Sequence, residues 1–232
     1  MSNLVECSGL SKSYGRKVVL QDFNINLEKG RIIGLLGPNG SGKTTFIKIL
    51  AGILSRNAGE VTIDGRQIGI ESKKVVSYLP ERTYFSPSMK VKETIEFFAD
   101  FYEDFRKERA VEMLQKLNIP LDAKIKSLSK GTREKVQLVL VMSREAKVYL
   151  LDEPMGGVDP AARDYILKTI LTNYSEDSSV IISTHLISDV ENVLDDVVFI
   201  KDGRVVLHES VDDIREKNNK SVDTLFREVF AC

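Results

Sequence analysis

One eight-residue stretch constrains this chain more than any other, because it fits the phosphate-binding loop pattern G-x-x-x-x-G-K-[ST]. The stretch follows an apolar run at residues 31–36 and leads into a helical pattern, so it is predicted at a strand-to-helix junction. Glycines let backbone N–H groups approach a polyphosphate, while the helix N-terminus and a lysine add positive charge. The pattern predicts binding of a nucleoside triphosphate by Gly37, Pro38, Asn39, Gly40, Ser41, Gly42, Lys43 and Thr44.

The composition is that of an ordinary globular protein. The 232 residues contain 33 Lys and Arg against 34 Asp and Glu, a balance that argues against a nucleic-acid partner. Cys7 and Cys232 lie near opposite ends and are expected to be reduced thiols, not ligands of a metal cluster. No apolar run approaches the roughly 18–20 residues that cross a bilayer. If the protein works at a membrane, we expect another subunit to provide the span.

Hydrophobic patterning predicts strands that alternate with helices, interrupted by one helical block. The predicted helices span residues 43–54 and 161–172, and another begins after Gly131. Residues 83–127 show only helical stripes, and a short helix from Ser221 is expected to pack back on the domain. We therefore predict an α/β frame with a helical insert. The predicted strands span residues 4–7, 18–27, 31–36, 60–63, 75–79, 148–151, 180–183, 197–200 and 204–207.

Polar side chains end two of the predicted buried strands. Asp152 and Glu153 follow the strand at 148–151, and the carboxyl edge of a parallel sheet is where ligands bind. Asp152 suits the shell of a magnesium ion, with the hydroxyl of Thr44 as the other protein ligand. Glu153 is placed to act as the general base, a role usually worth about 10²–10⁴-fold in rate.

His185 ends the strand at 180–183 and is one of two histidines in the chain. A lone histidine is more often a hydrogen-bonded structural residue. Because this strand is predicted to end beside the terminal phosphate, we predict a phosphate-sensing role for His185. The other histidine, His208, follows a terminal strand, and we expect it to be a structural residue.

The order of these motifs resembles that of an ABC-type ATPase domain from about residue 4 to residue 207. The resemblance implies a P-loop NTPase core with a parallel sheet, RecA-like, at residues 1–82 and 128–209. It further implies an N-terminal antiparallel β-subdomain, an α-helical subdomain at about 83–127 and a helical tail at about 210–232, all within one domain. The residues that carry the resemblance are Tyr14, the phosphate loop through Thr45, the run Leu-Ser-Lys-Gly-Thr at 128–132, Asp152, Glu153, Asp159 and His185.

The resemblance also implies that two chains sandwich two ATP molecules, with Mg²⁺, head to tail. Tyr14 would stack on the adenine, and Thr45 would join the phosphate contacts. Ser129 and Gly131, in the signature motif, would contact the γ-phosphate held by the second ATPase subunit, and Asp159 would act across the dimer. Independently of the resemblance, Ser129 can cap a helix that begins near Gly131 and whose N-terminus attracts anions.

As a member of that family, the chain is expected to drive a transporter from the cytoplasmic face of the cell membrane. Closure of the dimer would act on a separate transmembrane permease, whose coupling helix enters a groove of the helical subdomain. The Leu-Ser-Lys-Gly signature is most similar to stand-alone ATPase subunits of bacterial ABC-2-type exporters, so we expect export. The alternatives are a soluble ABC-type switch in DNA repair or translation and an unrelated P-loop kinase. The modest helical block disfavours the first, and residues 128–132 disfavour the second.

Three departures from the family pattern qualify these expectations. Glu81 stands where the family has a glutamine that meets magnesium, so it is either a metal ligand or a surface glutamate. Lys130 and Thr132 replace glycine and glutamine, and Lys130 would either attract the partner's phosphate or be solvated. A Met-Gly-Gly run at 155–157 replaces the usual Thr-Ser-Gly. None of these removes the lysine, the two carboxylates or the histidine, and we therefore expect hydrolysis.

Overall fold

The computed structural model describes residues 3–156, 160–175 and 177–231. The strands are β1 (Asn3–Tyr14), β2 (Lys17–Glu28), β3 (Ile32–Leu36), β4 (Ala58–Ile63), β5 (Arg66–Gln67), β6 (Val76–Leu79), β7 (Val148–Asp152), β8 (Ser179–Thr184), β9 (Asp196–Lys201) and β10 (Arg204–Ser210). The helices are α1 (Lys43–Leu50), α2 (Ile70–Lys74), α3 (Val91–Phe101), α4 (Lys107–Lys116), α5 (Lys130–Met142), α6 (Pro160–Asn173), α7 (Ile187–Val190), α8 (Val211–Asn218) and α9 (Val222–Phe230).

A six-stranded sheet in the order β10-β9-β3-β8-β7-β6 positions the residues of interest. All neighbours from β9 to β6 are parallel, and β10 pairs antiparallel with β9. Every residue of β3, β7 and β8 is buried, which explains their continuous apolar sequences, because parallel strands are covered on both faces. The carboxyl ends of β3, β6, β7 and β8 therefore meet at one edge of the sheet.

Different layers cover the two faces of this sheet. One face packs against α5, α6 and the C-terminal helices. The other packs against α1 and against a four-stranded antiparallel sheet in the order β2-β1-β4-β5. The predicted α/β class, with a parallel core sheet and an N-terminal antiparallel sheet, is confirmed. Within the described ranges, no helix is both long and apolar enough to cross a bilayer.

The predicted helical block contains α3, α4 and a 3₁₀ turn at Ile125–Ser127, and it has its own hydrophobic cluster. Its attachment to the sheet depends on Arg144, a buried residue just beyond α5. The guanidinium of Arg144 donates to Asp104 Oδ1 at 2.9 Å and to the carbonyl oxygen of Val76 at 2.5 Å. It also lies 3.8 Å from the centre of the Tyr102 ring. One side chain thus joins the block to the first residue of β6.

Several predicted boundaries were wrong for local reasons. Strand β1 runs well past the predicted 4–7, because irregularities in its pairing with β2 let it continue through a stretch without clean alternation. Helix α1 ends before the predicted residue 54, since Gly52 adopts a left-handed φ of 66°. Helices α2 and α7 were not predicted, whereas α8 lies in the predicted helical tail. Helix α9 was predicted, and it packs as expected: Phe226 and Phe230 lie 5.4 Å and 5.9 Å from the Phe199 ring.

Candidate active site

The phosphate-binding loop joins β3 to α1, as predicted. Gly42 stands at the helix N-cap with a φ of 112°, and a Cβ there would lie 2.7 Å from Leu20 Cδ2. Both the backbone angle and the space therefore require glycine. The first residue of α1 is Lys43, whose Nζ donates to the carbonyl oxygens of Gly37 at 2.7 Å and Pro38 at 3.2 Å.

The ammonium group of Lys43 is buried inside the loop, where it is shielded from the water that would stabilise its charge. Burial lowers the pKa of Lys43, and the nearby carboxylates of Glu153 and Asp152 oppose that shift. Ser41 is also buried, and its N–H donates to the carbonyl oxygen of Pro38 at 3.2 Å. A polyphosphate would supply the anionic partner that such a buried cation requires.

Asp152 and Thr44 lie together, as the magnesium hypothesis requires. Oδ1 of Asp152 accepts from the hydroxyl of Thr44 at 3.0 Å and from that of Ser183 at 2.7 Å. Burial raises the pKa of Asp152, while these two hydrogen bonds lower it. Oδ2 of Asp152 is buried and has no hydrogen-bond partner within the described ranges. A carboxylate oxygen left over beside a hydroxyl matches the hard oxygen ligands that Mg²⁺ prefers, so these residues fit the ion.

Glu153 has an unusual backbone conformation for a residue with a side chain. Its φ is 49°, in the left-handed region, which costs of order 1–3 kcal/mol and is often found at functional sites. The backbone N–H of Glu153 donates to the carbonyl oxygen of Ser183 at 3.0 Å, and this bond to β8 holds the turn in place. Oε2 of Glu153 lies 3.0 Å from Nδ1 of His185. The two predicted catalytic side chains are therefore hydrogen-bonded to each other.

A cleft of about 1130 Å³ brings most of the predicted site residues together. Its walls combine the loop, the start of α1 and the first turns of α5 with the segments that follow β6, β7 and β8. Glu81, on that segment, is exposed and lines the cleft. Its charge adds to burial in raising the pKa of Asp152. The predicted residues that line the cleft are Tyr14, Asn39, Gly40, Gly42, Lys43, Thr44, Thr45, Glu81, Glu153 and His185.

Tyr14 lies at the rim of the cleft with 49 % of its surface exposed. Nζ of Lys12 is 5.4 Å from the centre of the Tyr14 ring, within the range of a cation–π contact. The exposed ring can accept a stacked base, which is what the adenine-binding hypothesis needs.

The signature segment lies elsewhere on the surface of the chain. Ser129 caps α5, as predicted, and its Oγ accepts from the N–H of Thr132 at 3.1 Å. Ser129 and Thr132 line a different cavity, of about 320 Å³. A Cβ at Gly131 would meet nothing within 4 Å, so the start of α5 is open to an approaching group. Asp159 lies outside the described residues.

Lys130 is the exception within that segment. It lines the large cleft of its own chain, and its Nζ lies 3.7 Å from Oε1 of Glu134. The side chain of Lys130 is 68 % exposed, so it is solvated in the isolated chain.

Sequence reasoning missed Ser183 and Gln137 as parts of the site. Ser183 pairs with Asp152 in the register of β7 and β8 and holds its carboxylate. Gln137 is buried in α5, and its Nε2 donates to the carbonyl oxygen of Pro80 at 3.3 Å. A long polar side chain within an otherwise apolar run is a signal that could have indicated Gln137, whereas no such signal marks Ser183.

A sequence profile of the ABC transporter family matches residues 20–156, which include the phosphate loop and the strand that ends in Asp152. The chain belongs to this family. It is an ATP-binding and ATP-hydrolysing subunit of the ABC transporter type.

Relatives along the whole chain agree with this assignment. YdbJ of Bacillus subtilis, an uncharacterized ABC transporter ATP-binding protein, is 32 % identical over 94 % of this chain and 73 % of YdbJ. SrtF of Streptococcus pyogenes, a lantibiotic transport ATP-binding protein, is 29 % identical over 90 % of this chain and 92 % of SrtF. A solved ATP-binding subunit of an ABC transporter superposes with a TM-score of 0.88 at 28 % identity, covering 97 % of this chain and 99 % of the other.

Proposed function

We propose that this chain is the motor subunit of an exporter: two subunits bind Mg-ATP head to tail, and hydrolysis drives substrate through a separate membrane permease. The observation that carries the proposal is the meeting of Lys43, Thr44 and the Glu153–His185 pair in one cleft. Thr44 in turn donates a hydrogen bond to the buried Asp152. Export is supported by the similarity to SrtF, whose name describes lantibiotic transport.

Each group in the cleft has a part in this proposal. Lys43 and the N–H groups of the loop hold the phosphates. Thr44 and Asp152 would hold Mg²⁺, with Glu81 as a further ligand, and the ion supplies positive charge to the phosphate oxygens. Glu153 takes a proton from the attacking water as general base. His185, bonded to Glu153 through Nδ1, orients that carboxylate beside the terminal phosphate.

A second subunit is needed in this proposal because Ser129 and Thr132 line a separate cavity and not the cleft of their own chain. Lys130, at the start of the same helix, does line that cleft. In the proposed dimer, Ser129, Gly131 and Asp159 contact the nucleotide that the partner's loop binds. The N-terminus of α5 gives positive potential to the γ-phosphate, and Tyr14 stacks on the adenine.

An apolar groove of about 620 Å³ between the helical block and the sheet is the proposed permease site. Phe97, Phe101, Tyr84 and Ile53 line it and are all exposed, and the rings of Phe97 and Phe101 lie 4.6 Å apart. Aromatic side chains around a groove suit the apolar face of a helix. Docking there would hold the chain as a peripheral subunit at the cytoplasmic face of the membrane.

Light scattering of the Glu153→Gln protein, with ATP and without magnesium, tests the two-subunit site. The substitution keeps the shape of the side chain and removes the base, so ATP is bound without turnover. We expect the mass of a dimer with ATP and of a monomer without it. In Glu153→Gln combined with Ser129→Arg, the added side chain blocks the start of α5, and the ATP-dependent dimer is lost. A Glu153→Gln chain that binds a fluorescent ATP analogue tightly yet stays monomeric would contradict the proposed homodimer.

A further inference from the structure

Three parts of the active site meet at a small cavity behind the large cleft. The cavity measures about 20 Å³. Glu134 and Gln137 reach it from α5, Glu81 from the segment after β6, and Glu153 from the turn after β7. The helix that begins at the signature segment therefore borders the same cavity as both loops that carry the proposed reaction.

Two oxygen atoms at this cavity need a hydrogen-bond donor. Oε2 of Glu134 and Oε1 of Gln137 are both buried, and neither accepts a hydrogen bond within the described part of the chain. Residues three apart lie one above the other on a helix, so the two acceptors are neighbours. Buried acceptors are nearly always paired in proteins, and leaving two together without a donor is unfavourable.

The other polar atoms of these two side chains are already in use. Oε1 of Glu134 lies 3.7 Å from Nζ of Lys130. Nε2 of Gln137 donates to the carbonyl oxygen of Pro80 at 3.3 Å, which fixes the orientation of the amide. Turning the amide over would place its oxygen against a carbonyl oxygen. The two unpaired atoms at the cavity, Oε2 of Glu134 and Oε1 of Gln137, are therefore both acceptors.

One water molecule satisfies this arrangement. It carries two O–H donors, one for each oxygen, and a cavity of about 20 Å³ accommodates a single water. Burial raises the pKa of Glu134, and Lys130 opposes that shift.

We propose that Glu134 and Gln137 are positioning residues for ATP hydrolysis, and that they hold one water molecule in the cavity between α5 and the loops carrying Glu81 and Glu153. The proposal rests on the proposed role of Glu153 as general base. The proposal gives α5 two roles. Its N-terminus contacts the partner's nucleotide in the proposed dimer, and its buried side chains help to position the general base, Glu153. Movement of α5 on dimer formation would then change the placement of Glu153.

Steady-state ATP hydrolysis of Glu134→Leu and Glu134→Gln tests this link. Leucine cannot hold the water, so we expect kcat to fall on the order of tenfold while KM stays within about twofold, because misplacement of a catalytic group affects chemistry more than binding. The glutamine variant still bonds the water and should keep kcat within about threefold of the parent. The matched control is Glu112→Leu, which changes an exposed glutamate on α4 and should leave both constants unchanged.

A double-mutant cycle with Gln137→Leu shows whether the two residues act together. If they hold the same water, Glu134→Leu with Gln137→Leu is no slower than the slower single variant, whereas independent roles would give multiplied losses. Circular dichroism confirms that each variant is folded. Should Glu134→Leu fail to fold, Gln137→Met carries the same test at the other acceptor.

A parallel assay of Glu153→Gln separates the two proposals. If Glu153→Gln hydrolyses ATP at the parent rate, Glu153 is not the general base and the proposed function is wrong. If Glu153→Gln does not hydrolyse ATP but a folded Glu134→Leu keeps the parent kcat, only the proposal for Glu134 and Gln137 is overturned. The same holds if the losses in kcat multiply in the double-mutant cycle.

Discussion

The phosphate-loop region and the signature region of this chain are organised to different degrees. Around the loop, Asp152 is fully buried and accepts hydrogen bonds from Thr44 and Ser183 at 3.0 Å and 2.7 Å. In the signature region, Ser129 is exposed and its hydroxyl bonds to Thr132 in the first turn of its own helix. The first region is preorganised by long-range contacts across the sheet. The second offers an open helix end, and we expect it to act only when another subunit approaches.

This difference predicts which substitutions affect one chain and which affect a pair of chains. Changes in the loop region should weaken nucleotide binding by the isolated chain. Changes in the signature region should leave that binding intact and reduce hydrolysis, which depends on the dimer in the proposed function.

The largest effect is expected from Lys43→Ala. Hydrogen bonds to charged groups contribute about 1.5–3 kcal/mol, so ATP affinity should fall by roughly 10- to 150-fold, and hydrolysis should be lost. Equilibrium binding of a fluorescent ATP analogue and phosphate release measure the two effects. Lys116→Ala, at an exposed lysine of α4, is the matched control and should behave as the parent. Parent-like affinity in a folded Lys43→Ala protein would show that the loop is not the nucleotide site.

A smaller and different effect is expected from Ser129→Ala. Loss of the N-cap of α5 should lower the free energy of unfolding by about 1 kcal/mol, as measured by urea titration. Binding of the ATP analogue to the isolated chain should not change, whereas hydrolysis at high protein concentration should decrease.

The chain provides a close control for that prediction. Ser221 caps α9 in the same way, with Oγ accepting from the N–H of Thr224 at 3.1 Å. Ser221→Ala should cost similar stability and leave hydrolysis unchanged. Weaker ATP binding by the Ser129→Ala monomer would remove the distinction between the two regions.

The sequence was sufficient to predict the loop region in some detail, for a physical reason. Buried parallel strands are continuous apolar runs, and β3, β7 and β8 lie close to their predicted positions. Since parallel strands share a carboxyl edge, the polar residues that follow them could be placed together. The hydrogen bond that Thr44 donates to Asp152 and the one between His185 and Glu153 agree with that placement.

The sequence was insufficient where a role depends on the pairing of distant residues. Ser183 holds Asp152 although 31 positions separate them, and a serine in an apolar strand has no special pattern before the register is known. Likewise, Gln137 finds Pro80 across 57 positions. The left-handed backbone of Glu153, whose N–H donates to the carbonyl oxygen of Ser183 in β8, is not indicated by its residue type. The roles of Ser129, Gly131 and Asp159 stay predictions.

The smallest effect is expected from Glu81→Gln, at the point where the two regions adjoin. Glu81 is exposed, so its interactions are screened by solvent and worth at most about 1 kcal/mol. A carboxylate is a better magnesium ligand than an amide, and we expect the Mg²⁺ concentration for half-maximal hydrolysis to rise about threefold with kcat within about twofold. Titration of hydrolysis with MgCl₂ at saturating ATP measures the shift, and Glu60→Gln, at an exposed glutamate of β4, is the control. An unchanged Mg²⁺ requirement would show that Glu81 is not a metal ligand. The protein ligands of the metal would then be Thr44 and Asp152, both within the preorganised region.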